Sequence, residues 1–131
     1  MSFKPILIVS GDRKSIFFEI FFKAFKKEKF KSPLILVSSL KLVQKEKVKY
    51  KFNKKINILK ITDLRFLKLD NKMLNLINVD DKKLIKFYNN IDSDKDYIEK
   101  CFNVSFKLIK SGFTNKFING PISKKKFLDK K

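Results

Sequence analysis

Histidine is absent from this 131-residue sequence, and Cys101 is its one cysteine. Without imidazoles and with a lone thiol, the usual zinc and haem ligand sets cannot be assembled, and no intramolecular disulfide can form. A reducing compartment, the cytoplasm, is the expected setting. Glycine and proline number three each, so no low-complexity linker divides the chain. Arginine is nearly as scarce: only Arg13 and Arg65 occur among 32 basic residues. Readers of nucleic-acid sequence lean on arginine for bidentate contacts, so this shortage argues against a dedicated base-reading role. Long apolar runs are missing too, because Glu19, Lys23 and similar residues interrupt them well short of the roughly 20 residues a bilayer span requires. The opening run ends at Gly11-Asp12 rather than at a small-residue cleavage site, so neither membrane insertion nor export is expected.

What is present is a core and a large positive charge. The chain is 44% hydrophobic and 14% aromatic, enough apolar surface to offset the entropy of ordering it. Its length suits one domain, residues 1–131, with no internal repeat. Thirteen acidic residues give a formal charge of +19. The excess is lysine throughout, accompanied by abundant Ile, Asn and Phe, which suggests compositional drift over the whole chain. Lysines also cluster at 23–29, 45–55 and 124–126, and counterion release would give such clusters nonspecific affinity for nucleic acid or another polyanion. They alternate with apolar positions rather than forming one stripe, which also suits a plain solvated surface.

Periodicity predicts an alternation of strands and helices. Ile6 to Ser10 and Leu34 to Val37 are short β-branched runs of the kind buried on both faces of a sheet. Between them, Ile16, Phe17, Ile20, Phe21, Ala24 and Phe25 have helical spacing behind Ser15 as N-cap, making a βαβ unit. These phenylalanines are expected to be packing residues rather than a stacking platform. A second helix is expected from Ser39, carrying Leu40, Val43 and Val48. Strands are predicted at Ile56 to Ile61 and Leu74 to Val79, joined by a helical or irregular stretch from Asp63 to Asn71. Asp80 to Asn90 shows no firm period, and residues 89–93 read as an exposed loop. Ser93 then caps a long helix through Tyr97, Cys101, Val104 and Leu108, closed by Gly112 as C′ residue. A strand at Lys116 to Ile118 and the start of a lysine-rich helix from Ile122 follow. The fold class is α/β: an open, mostly parallel sheet with flanking helices.

Two turns stand where ligands sit in open α/β sheets, at the carboxyl ends of strands. The first is Ser10-Gly11-Asp12-Arg13-Lys14-Ser15, whose backbone amides could meet an anion, although one glycine cannot build GxGxxG or GxxxxGK[ST]. The second is Asn119-Gly120-Pro121-Ile122-Ser123-Lys124. There Gly120 can take a positive φ and Pro121 fixes the exit, presenting a hydroxyl and an ammonium to phosphate or carboxylate. No general base accompanies Ser123, so it is not assigned as a nucleophile. An ordinary tight turn accounts for either segment equally well. Cys101 lies on the apolar face of its helix with no basic neighbour and reads as a buried structural thiol.

Together these segments resemble the 4-hydroxythreonine-4-phosphate dehydrogenases. Lys4-Pro5-Ile6-Leu7-Ile8-Val9-Ser10-Gly11-Asp12, with Ile16 and Glu19-Ile20, resembles the family's opening strand and its Gly-Asp-Pro-Ala-Gly-Ile-Gly-Pro-Glu-Ile turn. Tyr97 to Gly112 followed by Phe117-Ile118-Asn119-Gly120-Pro121-Ile122-Ser123-Lys124 resembles its later helix and Pro-Ile-Ser-Lys turn. The order and spacing of the two segments agree with the family's. Arg13-Lys14-Ser15 replaces the family's Pro-Ala-Gly, and Phe17-Phe18 stands where it has Gly-Pro. The resemblance implies part of an isocitrate and isopropylmalate dehydrogenase-like fold. It also implies an enzyme two to three times as long, using NAD or NADP and a divalent metal to oxidise and decarboxylate 4-phosphohydroxy-L-threonine for pyridoxal phosphate synthesis. Gly11, Asp12, Asn119, Gly120, Pro121, Ser123 and Lys124 then face the active cleft, with no catalytic step assigned to any of them and Lys124 as the best anion contact. The family's metal-binding histidines follow this turn, so the chain alone is expected to bind no cofactor and to be inactive. It would act as a fragment or degenerate member, with a phosphorylated substrate and either a homodimer or a separate second half as partner. The competing expectation is a small lysine-rich polyanion-binding protein.

Overall fold

The computed structural model describes residues 4–11, 16–80 and 94–121. Five strands, β1 (Ile6–Val9), β2 (Leu34–Ser38), β3 (Ile56–Ile58), β4 (Leu74–Asn78) and β5 (Lys116–Asn119), form one sheet in the order β3-β4-β2-β1-β5. Every pairing is parallel; Ile8, for example, lies between Leu36 and Ile118. Among the described residues three α-helices accompany the sheet: α1 (Phe17–Lys27), α2 (Leu40–Lys49) and α3 (Asp94–Lys110). A 3-10 segment, Ile61–Phe66, joins β3 to β4.

The direction in which each connection travels decides which face its helix covers, because parallel crossovers are right-handed. From β1 to β2 and from β2 to β3 the chain moves one way along the sheet. Correspondingly, α1 and α2 pack on the face carrying Ile8, Leu34, Leu36, Leu74 and Leu76. From β3 to β4 and from β4 to β5 it moves back, and the 3-10 segment and α3 pack on the face of Leu7, Val9, Ile35, Val37 and Ile77. Burial sets the strand order. All of Leu74 to Ile77 is buried, whereas Ile56 is half-buried and Ile58 exposed, so β4 takes the inner position and β3 the edge. The polar residue within β4, Asn75, is accommodated by hydrogen bonds: its Nδ2 donates to the Leu34 and Asp70 carbonyls and its Oδ1 accepts from Asn57.

The first helix is turned from its expected orientation. Phe17, Phe18, Phe21, Phe22 and Phe25 are buried, while Ile16 and Ile20 are exposed. Glu19, Lys23, Lys26 and Lys27 share one side of this helix and the five phenylalanines lie opposite them, so the rings face the sheet and the charged stripe faces solvent. The rings bury more area than the isoleucines, each contributing about 1.5–3 kcal/mol, and stack further on Phe52, whose centroid lies 4.3 Å from that of Phe22. Ile16 takes the N-cap position without a side-chain cap; Ser15, the expected cap, lies outside the described residues. Val48 is also corrected: it is 80% exposed, and α2 buries Val43 and Glu46 instead. β3 stops at Ile58, short of the expected Ile61, because Ile61 opens the 3-10 segment.

The end of α3 forms as expected. Gly112 has φ +83, its N–H donates to the Ile109 carbonyl, and the Phe113 N–H reaches back to the Leu108 carbonyl, the paired bonds of a Schellman ending. The same pair closes α2, from Lys51 N–H to Val48 O and from Phe52 N–H to Lys47 O, with Lys51 at φ 53. α2 begins beside Ser39 as expected, and Ser39 caps it, its Oγ accepting from the Leu42 N–H. The Ser93 cap, the 89–93 loop, the unpatterned stretch to Asn90 beyond Asp80, and the helix expected from Ile122 lie outside the described residues. Among the described residues no helix is long and apolar enough to cross a membrane.

Candidate functional site

The adjacent parallel strands β1 and β5 end on the same edge of the sheet, and the carboxyl ends of strands are where ligands sit in open α/β sheets. Both turns singled out in the sequence meet there. The Gly120 N–H donates to the Val9 carbonyl at 2.7 Å, extending the β1–β5 ladder by one bond. Gly11 has φ +77, and a Cβ built on it would stand 2.3 Å from the Pro121 carbonyl oxygen. A Cβ on Gly120 would stand 2.4 Å from the Ser10 carbonyl oxygen and 2.8 Å from Phe17 Cδ1. The two glycines therefore allow one turn to lie against the other. Gly120 is free to take a positive φ, but among the described glycines only Gly11 and Gly112 have one. Space, not torsion, is what Gly120 supplies.

Of the seven residues singled out, Gly11, Asn119, Gly120 and Pro121 are described and share this rim. Gly11 and Gly120 are buried, and Asn119 and Pro121 exposed. The Asn119 Nδ2 donates to the Gly120 carbonyl at 3.2 Å. Asp12, Ser123 and Lys124 lie outside the described residues.

Directly beneath the rim is a hydroxyl cluster that sequence reasoning missed. Ser10 follows β1 and Ser38 ends β2, and the register pairing Val9 with Val37 sets them side by side. Tyr97 on α3 brings its hydroxyl within 2.7 Å of Ser10 Oγ and 2.6 Å of Ser38 Oγ, and the two serines are 3.2 Å apart. All three are essentially inaccessible. Burial pushes the Tyr97 phenol well above its ordinary range; nearby Cys101 adds to the shift, and the hydrogen bonds from Ser10 and Ser38 offset part of it. A phenol that stays protonated, with no carboxylate or imidazole in the cluster, tethers α3 to the strand ends and cannot act as a general base. The signal was available in outline, since a serine directly ends each of two buried apolar runs. Lys100, also missed, is fully buried in the same helix; Cys101 is buried, as expected.

The neighbouring start of α2 is filled by the chain itself. Asn78 Oδ1 accepts from the Leu40 N–H at 2.9 Å, and Asp80 Oδ2 accepts from Ser39 Oγ at 2.7 Å and the Lys41 N–H at 3.4 Å. The amides and dipole that could receive an external anion there already hold a carboxylate. Among the described residues no three of His, Cys, Asp and Glu come together.

By sequence, no protein-family model and no curated protein matches the chain. By structure, it is similar to 4-hydroxythreonine-4-phosphate dehydrogenases from Burkholderia phymatum (TM-score 0.73, 16% identity) and Klebsiella pneumoniae (TM-score 0.72, 16% identity). A Salmonella typhimurium protein provisionally assigned the same activity matches with TM-score 0.74 and 15% identity. These matches cover 96–98% of this chain but only 39–40% of the others, so the chain spans about two fifths of the structures it resembles. The shared fold is an α/β sheet with helices on both faces.

Proposed function

We propose that the chain forms one wall of the active cleft of a 4-hydroxythreonine-4-phosphate dehydrogenase-like protein, and that the cleft is completed by protein outside the matched two fifths. The observation that carries this proposal is the meeting of the Gly11 and Gly120 turns at the carboxyl ends of β1 and β5, inside a fold shared over 96–98% of the chain. Those turns also carry the sequence resemblance. In this role Gly11 and Gly120 hold the rim closed, and Asn119 orients the turn through its bond to the Gly120 carbonyl. Asp12, Ser123 and Lys124 follow Gly11 and Pro121 in the sequence, and Lys124 is assigned as the contact for a phosphate or carboxylate. The oxidation and decarboxylation proposed for the complete protein need a nicotinamide cofactor and a divalent cation to supply hydride acceptance and carbonyl polarisation. No step through either group is assigned to the residues of this chain.

Amide chemical-shift titration with 4-phosphohydroxy-L-threonine tests this role. The expected outcome is a saturable shift at Gly11, Asn119 and Gly120 that is lost in Lys124→Ala, with no NADH produced by the chain alone. Shifts confined to other surfaces, or none, would overturn it. A polyanion surface has no comparable support, because exposed lysines stand on both faces of the sheet: Lys41, Lys45 and Lys49 on α2, Lys107 and Lys110 on α3.

A further inference from the structure

We propose a second binding site at the opposite, amino end of the sheet, for a small anion with a planar apolar body. A cleft of about 780 Å³ opens there between the starts of β1 and β2, the 3-10 segment and the turn after α3. That volume falls in the range of small-molecule sites, which are mostly apolar with a few placed polar groups. Its floor is apolar, from Pro5, Pro33 and Phe113, and its charged lining is of one sign: Lys4, Arg65 and Lys68, with no carboxylate. Phe66 is the most exposed large apolar side chain described, at 86%. An aromatic ring held in water beside cations offers a face for stacking a flat ligand whose charge the cations neutralise. Arg65 Nη2 donates to the Ser111 carbonyl at 3.4 Å, tying the 3-10 segment to the end of α3, so the wall that carries Phe66 is anchored. Nothing here depends on the cleft of Gly11 and Gly120, which lies at the other end of the strands.

Adenosine 5′-monophosphate supplies both halves of this chemistry, and adenosine and inorganic phosphate each supply one. Isothermal titration at about 0.15 M salt, where distant charges are screened, should give saturable AMP binding tighter than about 1 mM and at least about 10-fold weaker binding of either half. Phe66→Ala should weaken AMP binding about 10-fold, and Lys4→Ala with Lys68→Ala should weaken it about as much. Lys45→Ala, on α2, should change nothing. All four side chains are exposed, and circular dichroism confirms that each variant is folded. Three results would each overturn the proposal: phosphate binding as tightly as AMP, AMP affinity equal in the cleft variants and wild type, or no saturation by about 10 mM AMP.

Discussion

Gly11→Ala and Gly112→Ala place the same methyl group at two glycines of nearly equal φ, +77 and +83, in different surroundings. At Gly112 nothing lies within 4 Å of the new Cβ. The cost there is left-handed strain alone, about 1–2 kcal/mol. At Gly11 the same strain is joined by a backbone clash, since the Cβ would stand 2.3 Å from the Pro121 carbonyl oxygen and 2.8 Å from the Gly120 carbonyl carbon. Backbone cannot swing aside as a flexible side chain would, and forced overpacking adds about 1–3 kcal/mol. Gly11→Ala should therefore cost about 2–5 kcal/mol, a large share of the roughly 5–15 kcal/mol that holds a domain folded. Urea unfolding followed by circular dichroism measures both variants. With a slope near 2 kcal/mol/M, the midpoint should fall by about 1–2.5 M for Gly11→Ala and by about 0.5–1 M for Gly112→Ala. Equal midpoints would refute the argument that close approach of the two turns requires Gly11.

Lys51 occupies the left-handed C′ position of α2, so Lys51→Gly should stabilise the protein by about 0.5–1 kcal/mol, seen as a melting temperature higher by about 2–5 °C. Tyr97→Phe removes the hydroxyl shared by Ser10 and Ser38 and should cost about 1–2 kcal/mol by urea titration, since the two serines keep only each other. The same variant isolates a pH effect. The folded Tyr97 phenol titrates above its unfolded value of about 10, so the folded state keeps a proton that the unfolded state loses. That contribution is complete below about pH 10 and is lost as pH rises through the folded pKa. Wild type should therefore lose stability faster than Tyr97→Phe above about pH 10, and parallel curves would contradict the cluster's burial. Glu46 Oε2 is buried with no hydrogen-bond partner among the described residues, so Glu46→Met should raise stability by about 1 kcal/mol in the same titration.

Much of the fold was legible locally. β1 and the run Leu34 to Val37 of β2 are unbroken apolar stretches that suit a doubly covered strand, and Gly112 stands where a helix of the observed length must end. Both glycine turns were visible as the ends of such runs. The rest depended on partners distant in sequence. The stacking of Phe22 on Phe52 is one such contact. Lys51 carries no mark of a left-handed cap, because lysine is there only through the bonds that close α2. Ser10, Ser38 and Tyr97 are ordinary residues singly and became a cluster through the β1–β2 register and the path of α3 across the sheet.

The sequence by itself determined the element types, the lysine-dominated surface charge and the absence of histidine chemistry, since spacing, composition and residue identity are local properties. Tertiary structure alone decided that β4 lies between β2 and β3, that Gly120 is needed for space, and that Asp80 fills the start of α2. Each of these depends on which surfaces exclude water together, and that is settled between segments tens of residues apart rather than within any one of them.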